Sequence, residues 1–245
     1  MKKYVYSFLM VLFFMAHAFG VEYSLDFSVS SAFIWRGIVL NKDAVLQSSA
    51  TVAGKGFSAN IWTNVELTNI NNLRGTITEI DYTFSYEKQI NKFNVTGGFI
   101  TYTFPHMGAG ATTEVFAGAS VNTFLNPSVT VFWDIDEVRG MYVQFGISHT
   151  IAIFSEKISD GLTLSANVGY CSENFVKGFF MHENEEAHAT FSDVSVRIDV
   201  PIKLRKGSLN FMAAYSDLVD SDLHTPGYED DDSHFVVGAT YAVAF

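Results

Sequence analysis

The chain has 245 residues, 26 acidic against 15 basic, for a formal net charge of −11. That balance argues against nucleic acid as a partner, because phosphate backbones are held by a surplus of Lys and Arg. Hydrophobic residues make up 48% of the chain, yet beyond the N-terminus no unbroken apolar run is long enough for a spanning helix. The 23 Phe, 11 Tyr and 18 Gly lean instead toward strands and turns.

Residues 1–20 differ from the rest. Lys2 and Lys3 give a basic start, an apolar run follows to Met15, and Ala16-His17-Ala18 is a small-x-small cleavage site. This is the pattern of a secretory signal peptide, so the expected organisation is a cleaved leader over 1–20 and one domain over 21–245. Cys171 is the only cysteine, which rules out a disulfide within the chain and fits an inert small residue near a strand end.

From residue 21 onward one period dominates, the period of two. In chain order the alternating segments are 21–34, 44–53, 57–67, 76–86, 93–104, 112–125, 128–135, 141–153, 162–170, 189–202, 208–215 and 234–245, twelve in all. The connections alternate in character. Those at 54–56, 87–92, 126–127, 154–161 and 203–207 are short, whereas 171–188 and 216–233 are long and irregular. Short turns at one end and long loops at the other predict an all-β, antiparallel up-and-down transmembrane barrel, with both termini at the short-turn, periplasmic end. Pro105, Pro127 and Pro226 fall in turns and loops, but Pro201 lies inside a strand segment and fits less easily.

The two faces of the segments differ. One carries Phe57, Ala59, Ile61 and Val65, and later Val194, Val196, Ile198 and Val200. The other carries Asn60, Trp62, Asn64 and Glu66, then Glu79, Asp81, Glu114, Tyr142, Gln144 and Arg197. A soluble sandwich would present Lys and Glu to bulk water. Here the polar face is rich in Ser, Thr, Asn and Gly, as a crowded or watery lumen requires. On the apolar face Phe57, Tyr86, Phe93 and Phe245 lie near the short-turn end, and Trp133, Tyr170, Tyr215 and Phe235 near the other. Two aromatic girdles around an aliphatic band match the two interfaces of a membrane.

The last segment, HFVVGATYAVAF, alternates to its final residue. In hydrocarbon every strand amide needs a partner, so the last strand is expected to zip to the first and close the barrel. Tyr241, Val243 and Phe245 also resemble the C-terminal signal by which bacterial outer-membrane proteins are recognised by the barrel-assembly machinery.

Within 24–105 the sequence is similar to the TorF-type outer-membrane porin family. The matching features are Trp35-Arg36-Gly37-Ile38, Val45 and Gln47, Gly56-Phe57, Ala59, Trp62 and Asn64-Val65, then TEIDYTFSY at 78–86 and GGFITYTFP at 97–105. The glycines that the family often carries after Gln47 are absent here. The resemblance implies a proteobacterial outer-membrane porin whose solute it does not specify.

The lumen candidates are Arg36, Asn60, Trp62, Glu66, Glu79, Asp81, Glu114, Tyr142, Gln144 and Arg197. Arg36 has two readings. It either caps loop groups or an acidic loop beside a girdle Trp35, or it places a positive charge at the pore mouth. An acidic surplus in a narrow water-filled channel favours cations, so the expected function is passage of small hydrophilic solutes with a weak cation preference. Trp62, Phe116 and Tyr142 point inward and narrow the passage. The alternative is a structural or adhesive barrel whose lumen the same carboxylates and bases block. The third reading, a lipid-modifying enzyme, calls for His-x-Ser on one strand face, since i and i+2 share a face; no mature-chain histidine offers it. No cofactor or metal set is expected. Asp220-x-Asp222 lacks calcium-loop spacing, and His182 and His188 merely share one loop. The partners expected are outer-membrane lipid, the assembly machinery and a small hydrophilic solute.

Overall fold

The computed structural model describes residues 20–70, 72–153, 155–180, 186–225 and 233–245. The expected leader over 1–20 therefore lies almost wholly outside the described residues, as does His182.

The wall is a closed barrel of twelve antiparallel strands. They are β1 (Glu22–Ser30), β4 (Val45–Gly54), β5 (Phe57–Glu66), β6 (Ile77–Ile90), β7 (Phe93–Thr103), β8 (Thr112–Val121), β9 (Ser128–Asp134), β10 (Met141–Ile151), β11 (Leu162–Cys171), β12 (Thr190–Lys203), β13 (Ser208–Leu218) and β14 (Ser233–Ala244). Each pairs with its sequence neighbour in the wall, and β14 closes on β1 through a register that sets Phe27 opposite Tyr241. The Phe245 N–H donates to the Tyr23 carbonyl at 2.9 Å, so the final residue is a working rung of the ladder.

The registers carry one face continuously around the wall. Leu25, Phe27, Phe57, Ile61, Phe84, Phe99, Trp133, Phe145, Leu164, Val196, Phe211 and Phe235 all stand exposed on it. In water this would be an aggregation surface; around a closed barrel it is a lipid-facing belt. Both expected girdles stand on this face, and Tyr170 packs edge-on against Phe191 at 5.3 Å. Inward-facing residues are Asn60, Trp62, Asp81, Gln144, Asn167 and their register partners.

The structure corrects the sequence reading in several places. The first wall strand stops at Ser30, not at residue 34. Phe33–Trp35 (β2) and Ile38–Asn41 (β3) form a separate two-stranded hairpin. Its turn uses left-handed backbone at Arg36 (φ 52°) and Gly37 (φ 79°). A Cβ on Gly37 would sit 2.7 Å from both Asp193 Cβ and Leu218 Cδ2, so glycine is needed there for space as well as for φ. Trp35 is consequently not a girdle residue: it lies inside the barrel. The turn expected over 87–92 is tighter, because β6 runs to Ile90 and reverses at Asn91, whose φ is 55°. The loop expected from residue 171 instead begins after Cys171 and contains a short helix, α1 (Glu173–Phe179). Pro201 is accommodated because the pairing of β12 with β11 ends at Asp199, two residues earlier. Its missing N–H therefore breaks no rung on that side.

Candidate functional site: a caged arginine and the filled mouth of the barrel

The β2–β3 hairpin and α1 both enter the long-loop mouth of the barrel. There they build the apolar core that the lipid-facing wall lacks. Ile38, Tyr142, Cys171, Phe175, Val176, Phe180, Leu218 and Leu223 are buried together, with Trp35, Phe132 and Phe179 packed around them. Cys171 is thus fully buried in this core and inaccessible.

Local chemistry holds α1 in place. Ser172 is its N-cap: its Oγ accepts from Phe175 N at 3.4 Å and also from Met141 N at 2.8 Å, tying the helix to β10. Gly140 allows the close approach, since a Cβ there would lie 2.5 Å from Phe175 N. Asp134 shapes the adjoining loop by accepting the backbone N–H groups of Asp136, Val138 and Arg139 at 3.0–3.1 Å.

At the centre of the plug is Arg36. Its two terminal nitrogens each donate to one oxygen of Glu114 at 2.7 Å, a bidentate pair. Only 8% of the Arg36 side chain and 2% of the Glu114 side chain are exposed. Aromatic rings enclose the guanidinium: its carbon lies 4.3 Å from the ring centroids of Trp35 and Phe132, 4.6 Å from Tyr142 and 5.6 Å from Phe175. Tyr102 donates its hydroxyl to the second Glu114 oxygen at 2.9 Å. Pairing, hydrogen bonds and ring faces together offset the desolvation of two charges. A second tie lies at the end of the hairpin, where Asn41 Nδ2 donates to Glu66, itself reached by the Thr78 hydroxyl at 3.5 Å. Beside the plug, Tyr142 donates to Asp193, which also accepts from Ser192 Oγ at 2.7 Å.

The expected lumen residues thus divide into two groups. Arg36, Glu66, Glu114 and Tyr142 are inside the barrel but are spent on fixing the plug. The reading of Arg36 as a free positive charge at the mouth is corrected, because Glu114 takes both of its terminal nitrogens. Asn60, Trp62, Glu79, Asp81 and Gln144, together with Arg36, line a cavity of about 440 Å³ beneath the hairpin. Arg197 faces the lumen lower down, with 44% of its side chain exposed, and is chelated by Asp199 at 2.7 Å through two nitrogens. Trp35, Tyr102, Phe132 and Phe175 were not singled out as lumen residues from the sequence. Inward parity on β7 and β9 points to Tyr102 and Phe132, but nothing local marks Phe175.

Three of the lumen cavities share lining residues, and together they cross the barrel. An outer cavity of about 310 Å³, bounded by Gly110, Glu137 and Phe179, shares Trp35, Glu79 and Tyr102 with the 440 Å³ chamber. That chamber shares Phe33 and Trp62 with a further cavity of about 330 Å³ that reaches Arg197. A last one of about 200 Å³, lined by Glu87, Asn94 and Thr130, lies near the short-turn end.

In the outer loops His188 Nε2 approaches Asp220 Oδ2 at 3.2 Å, with Asp222 close enough to complete a group of three potential metal ligands. All three are exposed or half-exposed.

No protein-family model matches the chain, and no curated protein does. Solved structures do. A NanC porin structure aligns with a TM-score of 0.52 at 13% identity, over 89% of this chain and 98% of that one. A second, from a study of in-meso crystallisation of membrane proteins, aligns with a TM-score of 0.51 at 5% identity, over 91% of this chain and 84% of that one. At such identities the likeness is one of fold: the chain has the architecture of an outer-membrane β-barrel.

Proposed function

We propose that the protein resides in the bacterial outer membrane as a narrow, porin-like channel for small hydrophilic solutes, with a weak preference for cations. The observation that carries this reading is the series of three cavities, each sharing lining residues with the next, that runs from the outer mouth to Arg197, with a separate cavity at the short-turn end. The plug fills the centre of the mouth but leaves a route that passes from the β6–β9 side, through the chamber, to Arg197 on β12. The cation preference follows from the charges facing it. Arg36 and Arg197 are both neutralised by carboxylates, whereas Glu79 and Asp81 face the chamber with no base beside them other than the spent Arg36. The likeness to a porin fold and the resemblance of 24–105 to the TorF-type family support the same reading. In that resemblance Trp35-Arg36-Gly37-Ile38 is the motif that makes the plug turn.

The same proposal includes a cleaved leader over 1–20, the short-turn end toward the periplasm, and recognition of Tyr241, Val243 and Phe245 by the assembly machinery. No enzymatic role is proposed. The second reading, a barrel with a blocked lumen, is favoured by one observation, the apolar core packed into the mouth. Single-channel recording on refolded protein in planar bilayers separates the two. The expected result is a small conductance whose reversal potential in a salt gradient favours cations, moving toward anions in Glu79→Gln/Asp81→Asn. A folded, heat-modifiable barrel that conducts nothing overturns the channel in favour of the blocked form.

A further inference from the structure

The lumen already holds one organic cation. The Arg36 guanidinium sits in a cage made of one carboxylate and the faces of four rings. The adjoining 440 Å³ chamber repeats this chemistry without its own cation. Glu79 and Asp81, at i and i+2 on β6, project into it together. Glu79 is only 7% exposed, and its side-chain hydrogen-bond partner is another carboxyl group, Asp81, so the two can bond only by sharing a proton. The buried Oδ1 of Asp81 has no hydrogen-bond partner among the described residues. Two buried carboxyl groups with only each other as partners are costly to keep ionised, and an incoming cation relieves that cost. Arg36 cannot supply the charge, because Glu114 holds both of its terminal nitrogens.

The rest of the lining selects the kind of cation. Phe33 and Trp62 pack 5.4 Å apart at the floor, and Trp35 meets Tyr102 edge-on at 6.0 Å at the roof. Aromatic faces attract ammonium groups, and the volume exceeds what a bare metal ion fills. We infer that this chamber is a binding site for a small organic cation, held by the Glu79–Asp81 carboxylates against the rings of Phe33, Trp62 and Tyr102. The inference rests on the lumen being reachable from solution, as the proposed function requires, but not on passage through it.

The test uses the full mature chain refolded in detergent, with choline chloride as the probe. Of the three Trp in the chain, Trp35 and Trp62 line the chamber, so their fluorescence reports occupancy. Choline is expected to give a saturable change that sodium chloride at equal ionic strength and neutral glycerol do not. Glu79→Gln/Asp81→Asn is expected to weaken the apparent affinity about tenfold or more, a loss of about 1.4 kcal/mol or more. The single change Asp81→Asn gives a smaller loss and serves if the double variant does not refold. Equal responses to sodium and choline, or a choline response that survives both variants, overturn the site. So does the absence of any response in folded wild-type protein. Saturable choline binding in a barrel that carries no current keeps the site and removes the channel. Current that choline leaves unaltered, with no fluorescence change, does the reverse.

Discussion

The wall and the mouth of this barrel are built on opposite principles. In the wall the large apolar side chains point away from the protein: Phe211, Phe145 and Val196 are each about half exposed, at 50%, 46% and 53%. Order there comes from the backbone, through a ladder that closes on itself so that every strand has two partners. In the mouth, two short strands and a helix of seven residues could not stand alone. They are held by side chains, a buried ion pair and a ring cluster. The wall is therefore expected to tolerate inward changes and resist lipid-facing charge, whereas the mouth should come apart locally without opening the barrel.

The most severe break in this contrast is expected from Glu114→Ala. It leaves the Arg36 guanidinium buried and unpaired, which typically costs about 3–5 kcal/mol. The hairpin should leave the mouth, so trypsin should cut after Arg36 or Lys42 while the folded band still shifts on heating. A variant as resistant as wild type would mean the plug does not depend on the pair.

Next in size is a charge on the lipid face. Val196→Arg, at the middle of β12, is expected to cost the whole barrel about 2–4 kcal/mol. Ser195→Arg, one residue away and facing inward, should cost much less. Denaturant unfolding in lipid vesicles measures both, and equal losses would mean the faces are interchanged.

Tyr142→Phe removes the donor to Asp193 but keeps the ring over Arg36. About 1–3 kcal/mol of mouth stability should be lost, seen as faster amide exchange in β2–β3 and α1 with the wall unchanged. Ser172→Ala, which deletes the N-cap of α1, should cost about 1 kcal/mol and affect only the helix and its contacts.

The smallest effect lies in the exposed loops. The Thr190 hydroxyl, the Asp222 backbone N–H and His188 together hold the Asp220 carboxyl below the usual carboxylate range. A carboxyl depressed in the folded state contributes stability above its unfolded value, and that contribution disappears as pH falls through the folded value. Acidification below the usual carboxylate range should therefore loosen the contacts that Asp220 makes with His188 and Thr190. Proteolysis of these loops as a function of pH should show the change in wild type and not in Asp220→Asn.

The sequence by itself determined the wall. A period of two needs no knowledge of distant residues, because alternate side chains of a strand always take opposite faces. Val194, Val196, Ile198 and Val200 against Asp193, Ser195, Arg197 and Asp199 announce both faces of β12 within one segment. The alternation of HFVVGATYAVAF likewise announces a last strand that must find a partner. Even the inward set of Asn60, Trp62, Glu79, Asp81, Glu114, Tyr142, Gln144 and Arg197 could be named by parity. What parity could not decide was which of them meet. Arg36 and Glu114 are 78 positions apart, and Phe175 reaches the same guanidinium from a loop with no period to read. The residues at 32–34 extend the first strand in sequence, yet they leave the wall once Ser31 has made its last bond to Val237 of β14. The reason is that a hairpin turning at Arg36-Gly37 can bury Trp35 and Ile38 against β8–β11 and α1, a surface that exists only after the barrel has closed. Local backbone geometry is written residue by residue, whereas the contents of a lumen are set by side chains converging from strands far apart in the chain.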